Sequence, residues 1–168
     1  WLFLGLCSAA SAGFYVQVAH CVGAGDMSRA RAVVRQAVTA SVAFSILLAM
    51  AGVLISGRLP VWLGGEPSVC HDASAYFFIF SLFLPALQLN SLVGGVLRCT
   101  GNMRVPSMVG VLMCVLDVVF NFFLIFPSRD IELFGSVVFM PGAGMEVKGA
   151  ALGTAAAEVV TATVLVWY

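Results

Sequence analysis

The sequence predicts an all-α integral membrane protein. Three observations carry that reading. The 168 residues are 61% hydrophobic and 10% charged, with a mean hydropathy of +1.06, against roughly 45–50% apolar and about 25% charged in soluble domains. Five apolar stretches, at about 1–22, 36–57, 73–97, 105–126 and 149–168, each approach the ~20 residues that a helix needs to cross the hydrocarbon core. The amphipathic period of a surface helix in water is mostly missing from them, and so is the alternation of ~10-residue barrel strands.

The first stretch opens on Trp1 with no initiator methionine and no basic leader, and the last, VTATVLVWY, stops inside apolar sequence. The chain reads as a piece of a larger membrane protein. A signal peptide needs a basic leader and a small-residue cleavage site, so the first stretch is taken as a true span. Within it Gln17 and His20 are three apart and share one side. Gln17 lines a cavity there, or else the pair serves packing or an interfacial position. The glycines of GAGD, which lacks the GKS or GKT of a P-loop, read as helix ends.

The second stretch carries no charged residue and ends in the small-residue run GVLISG. The third ends LPALQLNSLVGGVLR, where Pro85 breaks the hydrogen-bond ladder and is expected to kink the helix. Gln88, Asn90 and Ser91 crowd the next turn. A partly opened helix with amides beside it builds a polar cavity, or these side chains bond between helices beside the kink.

In the fourth stretch Asp117 and Asn121 are four apart, hence on one face, and Asp117 falls near the bilayer midplane. A carboxylate exposed to lipid at that depth costs about 2.5–3.5 kcal/mol on insertion scales, so this one faces protein or water. The functional reading is a site for a cation, Na+ included, or a proton, with Asn121 supplying an amide; the alternative is a hydrogen bond between packed helices.

Residues 128–148 alternate weakly through IELFGSVVFM and read as a short hairpin, an external lid or irregular chain, too short to span. The fifth stretch begins with the GxxxG of Gly149 and Gly153, which lets helices approach closely, and carries a second intramembrane acid, Glu158. Glu158 is read as sharing a proton or cation with Asp117, or as the partner of a helix outside the chain.

The connections support five alternating spans. Those at 23–35 and 98–104 carry Arg29, Arg31, Arg35, Arg98 and Arg104 against Asp26, a net +4. The other two hold Arg58, Arg129 and Lys148 against Glu66, Asp72, Asp130, Glu132 and Glu146, a net −2. Short basic loops stay cytoplasmic, so the first pair faces inward and the first span runs from outside to inside. Anionic lipid explains patches of this size, and nucleic-acid binding is not expected. Cys7, Cys21, Cys70, Cys99 and Cys114 show no metal-ligand spacing, His20 and His71 lie near opposite faces, and there is no HExxH, CxxC or Ser/His/Asp order. Neither an enzyme, nor a cofactor, nor a resident metal is expected.

Three pieces in order, VAHCVGAGDMSRARAVVRQA, LVGGVLRCTGNMRVPSMVGVLMCVLDVVFNFFLIF and VKGAALGTAAAEVV, resemble the multidrug and toxic compound extrusion (MATE) family of antiporters. They match that family's GAG[DN] loop, its LR..G..R.P turn, its polar fifth helix and the start of its sixth. The resemblance implies helices two to six of the amino-terminal six-helix lobe of a twelve-helix transporter, with 128–148 as an external insertion. It implies a multi-pass protein of the bacterial cytoplasmic membrane that exports cationic or amphiphilic small molecules in exchange for Na+ or H+. Asp117 and Asn121 match the family's fifth-helix polar pair, with the acid at the first position where the family usually has asparagine, and Thr154 matches a sixth-helix cavity position. The remainder of the same chain is implied as a partner, including a first-helix acid of the same cavity. The alternatives are a lipid-linked oligosaccharide flippase of the same superfamily, which would need basic residues along its cavity, and a structural subunit without transport.

Overall fold

The computed structural model describes residues 2–64, 67–133 and 136–168, with backbone alone at 67–68 and 128–142. Among these, seven helices and one hairpin follow in the order α1 (Leu2–Gly23), α2 (Met27–Ser56), α3 (Leu59–Trp62), α4 (Pro67–Leu82), α5 (Leu84–Cys99), α6 (Arg104–Ile125), β1 (Pro127–Leu133), β2 (Ser136–Ala143) and α7 (Glu146–Trp167). Helices α1, α2, α6 and α7 are each long and apolar enough to cross a membrane, and α4 with α5 makes a fifth span if the bent pair is taken together.

Helix α2 starts nine residues before its apolar run. Arginine and alanine are good helix formers, so the chain stays helical beyond the apolar band, and Asp26 caps it. The Asp26 carboxylate accepts from the Arg29 amide at 3.0 Å and from the Ser28 hydroxyl at 2.8 Å. Those two donors, the Arg29 amide first, hold its pKa below the usual carboxylate range.

The third apolar stretch is two helices that meet at 48°. Phe83 stands at the break and Pro85 in the first turn of α5. Pro85 has no N–H to offer the carbonyl of Ser81, and its ring is favourable at a helix start, so the chain restarts there in a new direction.

The segment between α6 and α7 is an antiparallel hairpin, with Arg129 opposite Met140 and Ile131 opposite Val138. It returns to the end of α6, where the Gly144 amide donates to the Phe126 carbonyl at 3.0 Å and the Met145 amide to the Leu124 carbonyl at 2.9 Å. Gly144, at φ 61°, makes the reversal that an L side chain resists.

Contacts between helices fix their directions. Phe3 on Phe77, Ser11 on Gln88 and Tyr15 on Gly95 climb α1 and the α4–α5 pair together. Asn90 meets Thr161, and Asn102 donates to the Tyr168 hydroxyl at 3.1 Å, so α7 runs the same way. Helix α6 runs opposite, with Leu124 against Gly149 and Asn121 against Gly153. The α1–α2 and α5–α6 turns therefore share one end of the bundle, and the five arginines of those connections gather there.

Packing is close because small residues face inward. Buried positions on α7 include Gly149, Ala151, Gly153, Ala155 and Ala157. The Leu124 carbonyl of α6 lies on the bare Cα of Gly149, and the Asn121 side chain and amide nitrogen lie on that of Gly153, the close approach that small residues allow between membrane helices. Helix α6 packs chiefly on α7 and more lightly on α5 and β2, and its other side presents Met108, Val111, Val115 and Val118 outward. Such a surface suits lipid or another protein and not water.

Candidate functional site

Glu158 is the centre of a polar cluster inside the bundle. Its place on α7 follows from the small residues before it, which bring that helix against α5 and α6 and leave room for one long side chain. Asn90 Nδ2 on α5 donates to Glu158 Oε2 at 2.7 Å and to Thr161 Oγ1 at 3.1 Å. Thr161 Oγ1 in turn donates to the Ala157 carbonyl at 2.9 Å, which leaves its lone pairs free for Asn90. An amide nitrogen has two hydrogens, so one asparagine serves both acceptors.

The Asp117 carboxyl on α6 is near enough to Glu158 for their charges to interact. Asp117 lies on the side of α6 that faces α7. Its Oδ1 is buried with no hydrogen-bond partner among the described residues, and one turn on, Asn121 Oδ1 is in the same condition against Gly153. Two orphaned acceptors four residues apart are an unusual expense in an apolar interior.

Two cavities meet at Glu158. An open one of about 440 Å3 lies among α1, α5, α6 and α7, with Ser8, Tyr15, Asn90, Arg98 and Glu158 on its wall. A small one of about 60 Å3 lies between Tyr76, Phe80 and Phe83 on one side and Thr154 and Glu158 on the other. The second holds room for water, and it contains both the break residue Phe83 and the carboxylate.

Of the residues singled out from sequence, Asn90 and Glu158 are thus bonded, Asp117 is within electrostatic reach, Thr154 lines the small cavity and Asn121 packs beside them. Gln88 lines neither of these two cavities. It is fully buried, and its Nε2 donates to Ser11 Oγ at 3.1 Å between α5 and α1. Gln17 is not in the cluster either. It is two positions past Tyr15, about 200° around the helix, and lies exposed in a groove with Ala10, Phe14 and Phe44 and, with His20, on the wall of a separate open cavity of about 410 Å3 at the α1–α2 turn.

Thr161 and Ser11 escaped the sequence reading. Thr161 was within reach of it, since it stands three residues after Glu158 and so on the same face. Ser11 carries no such signal among its small neighbours. The model of the MatE family matches residues 1–123 of the chain, which takes in Asn90, Asp117 and Asn121 and stops before Thr154 and Glu158. The searches of curated proteins and of solved structures gave no match.

Proposed function

The chain belongs to the MatE family of membrane transporters, and from that premise we propose that it works in a secondary active antiporter that exports organic cations or amphiphilic compounds in exchange for Na+ or H+. The observation that supports this most is the pair of buried, unpartnered acceptors Asp117 Oδ1 and Asn121 Oδ1. A proton or a cation supplies what those oxygens lack. Among the described residues no protein donor does so.

The mechanism is alternating access. A cation or proton at Asp117 shifts the balance between inward- and outward-facing states only if it binds one of them more tightly. Asp117 on α6 and Glu158 on α7 are two acids on separate helices, and in this reading they take up and release one proton or cation between them. The basic end of the bundle faces the cytoplasm in this reading. Thr154 and Asn90 contribute hydroxyl and amide groups to the water-accessible space around the acids. The wall of the open cavity carries one base, Arg98, and one acid, Glu158, and a single arginine falls short of the basic lining that the pyrophosphate of a lipid-linked sugar would need.

Export of a fluorescent organic cation from cells expressing the full-length protein tests the reading. Asp117→Asn at equal protein level is expected to abolish ion-driven export. Normal export with unaltered ion dependence in that variant would refute it.

A further inference from the structure

We propose that Asn90 is a positioning residue that ties the charge on Glu158 to the bend between α4 and α5. The inference rests on the antiporter reading and adds to it the device through which Glu158 acts.

The bend is weakly held. Across it the Phe83 amide reaches the Ile79 and Phe80 carbonyls at 3.3 and 3.2 Å, and the Phe83 carbonyl accepts from Ala86 and Leu87 at 3.0 and 3.3 Å. Pro85 contributes nothing to the ladder. The angle there is therefore set by what grips α5 from outside, and on the α7 side that grip includes the two bonds from Asn90.

Those bonds differ in kind. The one to Thr161 joins neutral groups, while the one to an ionised Glu158 is charge-assisted and roughly twice as strong. A proton or cation on Glu158 weakens the second bond and loosens α5 just past its hinge. The reverse holds by linkage: a movement of Phe83, which shares the 60 Å3 cavity with Glu158, alters how well that carboxylate holds its charge. The other groups that face Glu158 are Asp117 of α6, Tyr76 of α4, and, around the open cavity, Arg98 of α5 and Tyr15 of α1. Only Asn90 among these bonds Glu158 to the far side of the bend.

Spin labels at the exposed positions Val69 and Thr100 of the full-length protein in lipid nanodiscs report the bend. With a rise of ~1.5 Å per residue along the two arms, complete straightening would lengthen their separation by about 4 Å. In the otherwise unmodified protein the separation is expected to shift as pH falls or Na+ is added. Asn90→Ala should lose that shift and hold the released distance throughout. Glu158→Gln, whose amide oxygen accepts from Asn90 only as a neutral group and never changes charge, should show no shift and hold the released distance throughout.

Asn90→Gln retains the donor and should restore a shift, with a displaced midpoint. It also stands in if the alanine variant fails to fold: a shift with an unmoved midpoint in Asn90→Gln overturns the proposal. So does a shift of normal size and midpoint in Asn90→Ala. If Asn90→Ala keeps that shift while Asp117→Asn abolishes export, the link to the bend is wrong and the antiporter reading stands.

Discussion

Asn90 reaches across 68 positions of sequence to give Glu158 a 2.7 Å hydrogen bond, and the same amide nitrogen holds Thr161 one turn further along α7. Three helices converge on that point once Asp117 of α6 is counted. The arrangement makes Asn90 the one side chain whose loss frees both acceptors, and it ranks the neighbouring substitutions.

Thr161→Val keeps the shape of the side chain and removes one neutral acceptor, so it is expected to cost about 0.5–1.5 kcal/mol. Glu158→Leu deprives Asn90 of a charged acceptor and is expected to cost more, about 1.5–3 kcal/mol. Unfolding of the purified protein in detergent compares them. An equal or reversed order would show that the 2.7 Å contact is not charge-assisted.

At Gly149 an added Cβ meets the Leu124 carbonyl and the Ile125 amide nitrogen, and at Gly153 it meets the Asn121 side chain. Both alanine variants should force α6 and α7 apart, at about 1–3 kcal/mol. Gly149→Ala is the worse of the two, because main chain cannot move aside as an amide side chain can. Gly13→Ala, where a Cβ has nothing within 4 Å, is the control and should gain up to about 1 kcal/mol of helix propensity. Thermal midpoints in detergent give the ranking.

Ser11→Ala leaves Gln88, whose Oε1 already lacks a partner, with no hydrogen bond from either end. That is expected to cost about 1–3 kcal/mol, whereas Ser11→Ala with Gln88→Leu together should be nearly neutral. Export by the double variant should persist, since neither residue borders the cavities at Glu158. Loss of export from a stable double variant would return Gln88 to the transport path.

Asp26 supplies a stability term with a definite pH sign. Its carboxyl is held below the ordinary range by the Arg29 amide and the Ser28 hydroxyl, so the folded protein prefers it ionised. The benefit is complete above the unfolded carboxylate pKa of about 3.9 and fades as pH falls through the lower folded value. Asp26→Ala should lower the thermal midpoint at neutral pH, with the difference shrinking in acid. Asp26→Asn, still able to cap, should lose less.

Much of the bundle could be read without coordinates, because hydropathy and charge are local properties. The apolar stretches, the basic connections and the GxxxG of α7 required only neighbouring residues. The apolar stretch at 36–57 does not mark where α2 starts, at Met27, because a helix continues past the apolar band wherever propensity and a cap allow it. The hairpin of β1 and β2 was one of several open readings, since a weak alternation in a short segment does not choose among them.

The candidate site was legible only in its most costly members. Asp117 and Glu158 declare themselves because a carboxyl deep in apolar sequence demands a partner, whatever that partner is. Gln17 and Gln88 are ambiguous by the same logic, as an amide is tolerated at a groove, in a core or on a cavity wall.

Hydropathy and charge along the chain are enough to define a multi-pass helical bundle with a basic end and with two acids inside its apolar stretches. The pairings across helices, Asn90 with Glu158, Ser11 with Gln88, Leu124 with Gly149 and Asn121 with Gly153, emerge only when the helices pack. The reason is physical. Transfer into the bilayer is summed residue by residue along a segment, while contact between helices depends on the fit of whole surfaces that the bilayer itself scarcely favours or opposes.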